Sequence, residues 1–187
     1  MKKKEIEQLL LKSQVLQEGH FLLSSGFHSQ YYFEKFRIIE NPSLLTRFCQ
    51  IIKNKFKNKK IDIVCGPTTG GAIIAYEVAR QLKKRLVIAE KENEKRVIRR
   101  GFMINKNERV LIVDDVLTTG NSIRETMKAL KAFGAKIIGV AVLIDRSNQK
   151  IKDFRYFAIY KKEIPVFEEK NCPLCKKYLP LERPGSK

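Results

Sequence analysis

The segment VLIVDDVLTTGNSI, residues 110–123, decides how this chain can fold. It opens with a continuous apolar run, which is typical of a strand buried on both faces of a parallel sheet. Two carboxylates, Asp114 and Asp115, follow this run, and a polar turn then leads into a helical repeat. A capping-box pattern at Ser122 and Glu125 predicts where that helix begins. The segment therefore predicts a strand, a loop and a helix, in this order.

The same order of elements also occurs before this segment, and further strands follow it. Continuous apolar runs indicate buried strands, and residues at helical spacing lie between them. The predicted strands are residues 61–65, 86–89, 110–113 and 136–144, with a weaker strand at 154–160, and the predicted helices are 44–56, 72–82 and 123–133. We therefore predict an α/β fold, in which a parallel sheet is flanked by helices.

The two ends of the chain have weaker patterns than its middle. A short helical stripe and a strand-like stretch occupy residues 1–40, for which we predict a small N-terminal cap. Residues 41–164 contain the repeated strands and helices and form the predicted core. Residues 165–187 have little periodicity, and we expect this tail to pack on the core or the cap.

Composition limits the class of protein. No apolar run approaches the roughly 20 residues of a membrane helix, and the basic N-terminus leads into an amphipathic pattern rather than a signal sequence. We therefore expect a cytoplasmic protein with no membrane association.

The formal net charge is +18, and residues 83–109 hold ten basic and four acidic side chains. Such a charge suits nucleic acid or a polyphosphate substrate.

The turn after Asp115 has the features of a phosphate site. A helix N-terminus presents backbone N–H groups and the positive end of the helix dipole, so residues 118–121 can bind a phosphate. The hydroxyl groups of Thr118, Thr119 and Ser122 add donors, while the preceding carboxylates can accept hydrogen bonds from sugar hydroxyls. A ribose 5-phosphate would satisfy both parts of this site.

A second glycine-rich turn, GPTTGG at residues 66–71, also joins a predicted strand to a helix. Its backbone N–H groups could bind a diphosphate. Neither turn is followed by the lysine of a Walker A sequence, and no GxGxxG follows a strand. The usual signatures of ATP hydrolysis and dinucleotide binding are therefore missing.

These residues carry a family resemblance. The segment at 110–123 resembles the 5-phosphoribosyl-1-diphosphate (PRPP) motif of type I phosphoribosyltransferases, which implies their parallel-sheet fold with an N-terminal hood. Flanking segments narrow the resemblance to the orotate phosphoribosyltransferases, and it covers nearly the whole chain. These segments are GHFLLSSG at 19–26, YYF at 31–33, GPTTGG with AYEVARQL at 75–82, residues 141–146, and the CPLC and PGSK motifs of the tail.

The resemblance implies that orotate displaces diphosphate from the ribose of PRPP, giving orotidine 5′-monophosphate for pyrimidine synthesis. Asp114 and Asp115 would hold the ribose hydroxyls, and Mg²⁺ would be bound mainly by substrate oxygens and water rather than by a firm protein site. The implied PRPP-binding residues are Asp114, Asp115, Val116, Leu117, Thr118, Thr119, Gly120, Asn121, Ser122, Thr68, Thr69, Gly70 and Lys91. The implied orotate-binding residues are Thr118, Arg146, Tyr32 and Phe33.

A polar stretch at residues 90–107 has the length of a functional lid. The resemblance implies a homodimer in which this loop closes over the neighbouring subunit's site and screens the diphosphate. The implied catalytic residues are Asp114, Asp115, Lys91, Arg99 and Arg100, with Lys95 and Arg96 as further loop cations. This sequence departs from the family pattern, because Glu90 replaces the first residue of the usual Arg-Lys pair and the usual histidine is missing.

Two more departures concern the acceptor base. Ser24 stands where many relatives have a base-contacting lysine, and the GPTTGG loop lacks the lysine that many carry. Two alternatives therefore stay open: a phosphoribosyltransferase for another base, or a regulator that senses PRPP and binds nucleic acid through its basic surface. The sequence contains no helix-turn-helix or RNA-binding signature, which makes nucleic acid the less favoured partner.

The cysteines fall into two groups. Cys49 and Cys65 lie within apolar runs and are expected to be buried, reduced thiols. The motif CPLC at residues 172–175 resembles half of a zinc ribbon, but the chain has no second such pair. We interpret it as a packed turn of reduced thiols. Metal binding across subunits, with His20 and His28, is the alternative.

Overall fold

A computed structural model describes residues 1, 3–23, 25–93, 95–147 and 150–184. In these ranges no helix combines the length and the apolar character needed to cross a bilayer. The elements, in chain order, are α1 (Lys3–Lys12), β1 (Leu16–Leu22), β2 (His28–Phe33), α2 (Phe36–Ile39), α3 (Pro42–Phe56), β3 (Ile63–Pro67), α4 (Gly70–Leu82), β4 (Arg85–Glu92), β5 (Lys95–Ile98), β6 (Arg109–Leu117), α5 (Asn121–Ala132), β7 (Lys136–Asp145), β8 (Phe157–Lys161), β9 (Val166–Phe167) and two 3₁₀ helices (Glu169–Asn171 and Cys175–Lys177).

The chain divides into two compact units. The hood unit comprises Met1–Ile38 together with Lys162–Lys187, and the core unit comprises Ile39–Lys161. The limits lie close to the predicted ones at residues 40 and 164. The C-terminal segment belongs to the same unit as the N-terminal residues, so the hood unit is assembled from both ends of the chain.

The core unit is built on a six-stranded sheet with the order β5-β4-β3-β6-β7-β8. Its neighbouring strands are parallel except for β4 and β5, which are antiparallel. Residues of the central strands, such as Ile63, Val64, Leu111 and Ile112, are fully buried, as expected for a sheet covered on both faces. Helices α4 and α5 connect parallel strands. The predicted α/β class with a mostly parallel sheet is confirmed.

Strand β6 extends beyond its apolar run. The sequence predicts its end at Val113, but the strand continues to Leu117 and carries both carboxylates. Pairing with β7 explains the difference, because Val116 lies opposite Ile144 and Leu117 opposite Asp145. The backbone ladder maintains the extended conformation where the side chains become polar.

The stretch predicted as a lid contains a β-hairpin. Strands β4 and β5 pair in antiparallel register up to Glu92 opposite Lys95, so the first part of the predicted loop 90–107 is regular structure. Turns and irregular backbone occupy residues 99–108. The apolar pattern predicts only residues 86–89 of this hairpin, because the rest of its two strands is exposed or partly buried and carries many charged side chains.

The hood unit has its own antiparallel sheet, in the order β1-β2-β9. Leu16 of β1 lies opposite Phe33 of β2, and Ser29 of β2 lies opposite Val166 of β9. Leu10 of α1 is fully buried and contributes to the apolar interior of this unit. Strand β9 thus attaches the C-terminal segment to the N-terminal hairpin.

A buried carboxylate joins helices α3 and α4 of the core unit. Glu77 is 8% exposed and accepts hydrogen bonds from Thr46 (3.1 Å), Arg80 (2.8 Å to each oxygen) and Gln81 (2.7 Å). The Arg80 guanidinium is the main cause that lowers the pKa of Glu77 to about 2. A carboxyl group whose pKa falls on folding stabilises the folded state above its ordinary pKa, and this stabilisation is lost as the pH falls toward the folded-state pKa.

We expect Glu77→Gln to lower the free energy of unfolding by about 1–3 kcal/mol at neutral pH, because the charged acceptor of these hydrogen bonds is lost. The difference between the two proteins should shrink as the pH falls from about 4.5 toward about 2, where the wild-type carboxylate also becomes protonated. Urea unfolding at neutral pH and at about pH 3 measures the effect. An equal difference at both pH values would contradict this role of the charge.

Candidate functional site

Two buried carboxylates lie near the carboxyl end of β6. Asp114 and Asp115 are 6% and 7% exposed. The backbone N–H of Asp115 donates to Asp114 Oδ1 (2.8 Å), and the backbone N–H of Val116 donates to Asp115 Oδ1 (2.6 Å). These bonds fix the orientation of both side chains before any ligand binds.

The start of helix α4 packs directly against these carboxylates. A Cβ atom at Gly70 would lie 2.1 Å from Asp115 Oδ2, and a Cβ atom at Gly71 would lie 2.8 Å from Asp114 Oδ1. Only glycine leaves room for this approach, which also places the positive end of the helix beside the negative charges. The sequence predicted a diphosphate site at this turn but missed this contact, for which the two consecutive glycines were the signal.

The loop after β6 leads into α5 in a way that the capping-box prediction missed. Helix α5 begins at Asn121, its N-cap is Gly120 with φ of 84°, and this residue supplies no side-chain cap. A Cβ atom at Gly120 would also lie 3.2 Å from the Phe154 ring. The prediction that Ser122 caps the helix is therefore wrong, because the positive φ favours glycine at the cap and Ser122 lies inside the first turn.

Arg96 of β5 connects the two turns that were predicted to bind phosphate. Its guanidinium donates to Thr68 Oγ1 (2.9 Å) after β3 and to Ser122 Oγ (3.4 Å) at the start of α5. A cation therefore lies between the turn at 66–71 and the turn at 118–121. The sequence named Arg96 only as one of several loop cations, since the hairpin that positions it was not predicted.

The other loop cations have different surroundings. Arg99 forms an ion pair with Glu92, and Arg100 donates to both carboxylate oxygens of Glu90 (2.5 and 3.0 Å). Lys91 is exposed on β4 and lies opposite Arg96 in the hairpin. The three predicted catalytic cations therefore belong to one charged hairpin and the turn after it, and two of them pair with acids of the same hairpin.

The structure brings Arg146 next to the loop at the end of β6. Its backbone N–H donates to the carbonyl oxygen of Leu117 (3.0 Å), so Arg146 and Thr118, both predicted to bind orotate, follow adjacent strand ends. The Nε atom of Arg146 is buried and has no hydrogen-bond partner within the described parts of the chain. An unpaired buried donor is costly, so this atom is suited to bind a ligand acceptor.

A fully buried acid supports the position of Arg146. Asp145 accepts hydrogen bonds from the backbone and hydroxyl of Ser147 (2.8 and 2.6 Å) and from the Tyr156 hydroxyl (2.7 Å). Burial acts to raise the pKa of Asp145, but these hydrogen bonds outweigh burial and lower its pKa below the ordinary value. The charged carboxylate thus anchors the strand end that carries the arginine. The sequence did not predict this role.

The remaining predicted base-binding residues lie in the hood unit. Tyr32 and Phe33 are neighbours on β2, where Phe33 is buried and Tyr32 is half-buried, with its ring centroid 5.8 Å from that of Phe21. Ser24 lies outside the described residues.

Comparisons with known proteins agree with the resemblance seen in the sequence. The family model of the phosphoribosyl transferase domain matches residues 37–173. The chain is 44% identical over 189 residues to the orotate phosphoribosyltransferase of Caldanaerobacter subterraneus subsp. tengcongensis, which covers 100% of this chain and 99% of that protein. The solved orotate phosphoribosyltransferase from Aeropyrum pernix is similar with a TM-score of 0.72 at 25% identity, over 83% of this chain and 93% of the other.

The fold is also shared with enzymes for another base. The adenine phosphoribosyltransferase from Thermoanaerobacter pseudethanolicus gives a TM-score of 0.61 at 16% identity, over 71% of this chain and 88% of the other. At this identity the likeness shows the fold alone.

Proposed function

The chain belongs to the orotate phosphoribosyltransferases, and from this membership we propose how its residues perform the transfer. The protein is a pentosyltransferase of pyrimidine biosynthesis that acts on the small molecules PRPP and orotate. The observation that carries the residue assignment is the close approach of Gly70 to Asp115. Because of this contact, the turn at residues 66–71 lies beside Asp114 and Asp115, which lead directly into the turn at 118–121. The two turns that could bind phosphate therefore lie on either side of the carboxylates that could bind ribose.

The ribose, the 5-phosphate and the diphosphate of PRPP occupy three adjoining parts of the site. Asp114 and Asp115 accept hydrogen bonds from the ribose hydroxyls, and residues 116–122 hold the 5-phosphate at the start of α5. Thr68, Thr69 and Gly70 hold the diphosphate at the start of α4. The positive N-terminal ends of α4 and α5 support these two phosphate assignments. The fixed orientation of the Asp114 and Asp115 carboxylates supports the assignment of the ribose.

Orotate is bound by Thr118 and Arg146 of the core unit, while the role of Tyr32 and Phe33 in binding the base stays a prediction. A guanidinium donates parallel hydrogen bonds to a carboxylate or to ring carbonyl oxygens, both of which orotate carries. The Nε atom of Arg146, which is buried and has no hydrogen-bond partner among the described residues, supports this role. The bond between ribose C1 and the diphosphate oxygen breaks as C1 bonds to the orotate ring nitrogen, whose proton is released.

The residues present fit a Mg²⁺ ion bound through the substrate. Carboxylate oxygens are hard donors of the kind that Mg²⁺ prefers, and the site offers two of these groups, each with an oxygen already bonded to the backbone. Diphosphate oxygens, ribose hydroxyls and water would supply most ligands. When bound, the ion neutralises charge on the leaving diphosphate.

The leaving diphosphate also requires cations from the protein. Lys91, Arg99 and Arg100 are proposed to provide them, with Arg96 as a positioning residue between the two turns. The ion pairs of Arg99 and Arg100 with Glu92 and Glu90 would exchange for contacts to the diphosphate. Such exchange suits a segment that closes only when substrate is bound.

We further propose a cytoplasmic homodimer that shares the loop at residues 90–107: Arg96 keeps its contacts within its own subunit, whereas Lys91, Arg99 and Arg100 reach the site of the other. Ile73 and Tyr76 lie one turn apart on α4 and are 37% and 60% exposed. Exposed apolar side chains at this spacing are suited to a surface that a second subunit covers.

An orotate assay with an Arg146 variant tests the base site. We expect Arg146→Ala to raise KM for orotate by roughly 30- to 150-fold, equivalent to about 2–3 kcal/mol for lost charged hydrogen bonds, while KM for PRPP changes little. Purified protein, Mg²⁺, PRPP and orotate are mixed, and orotate consumption and diphosphate release are followed. Adenine and uracil replace orotate in parallel reactions.

Arg155→Ala provides the matched control, because Arg155 is an exposed arginine of the same unit. It should leave both KM values unchanged. Equal loss of affinity for PRPP and orotate in Arg146→Ala would contradict a base-specific role, and faster turnover with adenine or uracil would contradict orotate as the acceptor.

A further inference from the structure

Four side chains with metal-binding chemistry meet inside the hood unit. His20 lies on β1 and His28 begins β2, while Cys172 and Cys175 flank a turn of the C-terminal segment. One ligand atom from each residue, a ring nitrogen or a thiol sulfur, lies within 4.8 Å of all the others. Residues separated by about 150 positions in sequence therefore converge on a single point.

The separations match the edges of a tetrahedral zinc site. His20 Nε2 lies 2.9 Å from His28 Nδ1, 3.6 Å from Cys172 Sγ and 3.7 Å from Cys175 Sγ, and Cys175 Sγ lies 3.3 Å from His28 Nδ1. Zinc bonds of about 2.0–2.1 Å to nitrogen and about 2.3 Å to sulfur require N–S edges of about 3.6 Å and an N–N edge of about 3.3 Å. Four of the six edges therefore lie within a few tenths of an ångström of these lengths, and all four ligand atoms lie within 4.8 Å of one another.

The surroundings of His20 orient its free nitrogen toward the cluster. His20 Nδ1 lies 2.9 Å from the carbonyl oxygen of Leu179, which can only accept a hydrogen bond. This contact makes Nδ1 the protonated nitrogen and leaves the lone pair of Nε2 facing the thiols. A ligating histidine held in this way by a backbone carbonyl is a common feature of protein metal sites.

Burial and composition favour a metal over an ordinary polar contact. His20, His28 and Cys172 are 3%, 2% and 0% exposed, and Cys175 is half-buried. The hood unit combines segments of 38 and 26 residues, a size at which an apolar core alone gives little stability. A metal that ties the C-terminal turn to the β1–β2 hairpin would add stability at this point.

We propose that His20, His28, Cys172 and Cys175 bind one structural Zn²⁺ ion within each chain. Two thiolates and two imidazoles form a ligand set typical of zinc, and four protein ligands leave no open position for catalysis. The earlier interpretation of CPLC as a packed turn of thiols is replaced, and so is the alternative of a site between subunits. The site does not depend on the residues proposed for transfer.

Metal analysis of the reduced, full-length protein tests the proposal. After reconstitution with Zn²⁺ and removal of excess metal, we expect about one zinc per chain, and none in Cys172→Ser/Cys175→Ser. The matched control is Cys49→Ala/Cys65→Ala, which removes two thiols of the core unit whose pKa values burial raises to about 12. This control should retain the full zinc content.

Cobalt substitution keeps the test decisive if the cysteine variant fails to fold. Wild-type protein loaded with Co²⁺ should show the intense d–d absorption of a tetrahedral site together with thiolate-to-cobalt charge-transfer bands. His28→Ala should weaken these bands, and removal of zinc by a chelator should lower the unfolding temperature of the wild type but not of a variant that lacks the site. Absence of zinc from reconstituted wild type, or an octahedral cobalt spectrum, would overturn the proposal.

Discussion

Replacing Asp114 and Asp115 together by asparagine should reduce kcat/KM by roughly 10³-fold or more while leaving the fold intact. Asparagine has the same shape and keeps an oxygen that can accept the backbone N–H bonds of residues 115 and 116. It removes the negative charge that, in the proposed mechanism, strengthens hydrogen bonds from the ribose hydroxyls and balances the positive charge developing on the sugar. The loss should therefore appear in catalysis rather than in stability.

Asp62→Asn is the control that separates a loss of catalysis from a loss of stability. Asp62 pairs with Arg109, at the opposite end of β6 from the site, and the Arg109 guanidinium holds the pKa of Asp62 well below its ordinary range. This variant should lose stability but keep turnover. Activity is measured as orotate consumption, and folding by circular dichroism and urea unfolding. Normal turnover by the double variant would remove the proposed role of the carboxylates.

The same double variant tests the shared loop of the proposed dimer. Refolding it together with a chain that carries Lys91→Ala, Arg99→Ala and Arg100→Ala should form mixed dimers with one intact site. Equal mixing should then restore about a quarter of wild-type activity, although each parent is inactive. No recovery in a confirmed mixed dimer would place both sets of residues at the same subunit's site.

Gly70→Ala is expected to lower kcat/KM by about 10²-fold and to reduce stability by about 1–3 kcal/mol. The added methyl group would lie 2.1 Å from Asp115 Oδ2 and 2.9 Å from Asp115 Cγ. Because backbone bonds fix this carboxylate, relief requires it to rotate away or the helix start to move. Either movement separates the ribose-binding and diphosphate-binding parts of the site.

Gly134→Ala is the matched control for this glycine. Gly134 follows α5 with φ of 71°, and a Cβ atom there would lie 3.1 Å from Cγ of the flexible Lys106 side chain and 3.6 Å from the Lys106 Cα, which is ordinary van der Waals contact. Alanine at this positive φ should cost about 1–2 kcal/mol of stability without changing kcat/KM. Wild-type kcat/KM in Gly70→Ala would show that the tight contact with Asp115 has no part in the reaction.

The sequence predicts the core sheet well because most of its strands are apolar on both faces. Continuous runs such as 110–113 and 136–144 need burial on two sides, and the helix that links these two runs implies parallel pairing. The sequence does not predict strands whose extended conformation depends on hydrogen bonding to a neighbouring strand rather than on burial of apolar side chains. The polar end of β6 and the charged β4–β5 hairpin are held by ladder hydrogen bonds, which leave no apolar signature.

In the candidate site, too, features set by local sequence can be predicted, whereas features set by contacts between distant elements cannot. The carboxylate pair and the helix starts can be read from local order, because strand, turn and helix follow one another directly in the chain. The link made by Arg96 and the fit of Gly70 against Asp115 depend on elements that meet only after folding. The histidine and cysteine cluster is the extreme case, since Cys172 and His20 are 152 residues apart.

Assembly of the hood from both chain ends has a consequence for biosynthesis. The β1–β2 hairpin leaves the ribosome before the core unit, but β9, which pairs with β2, is translated after the core unit. Until then the β2 edge carries unsatisfied backbone groups, which are a template for contacts with other nascent chains. We therefore expect the parallel sheet to mature before the hood unit, which can close only after β9 has left the ribosome.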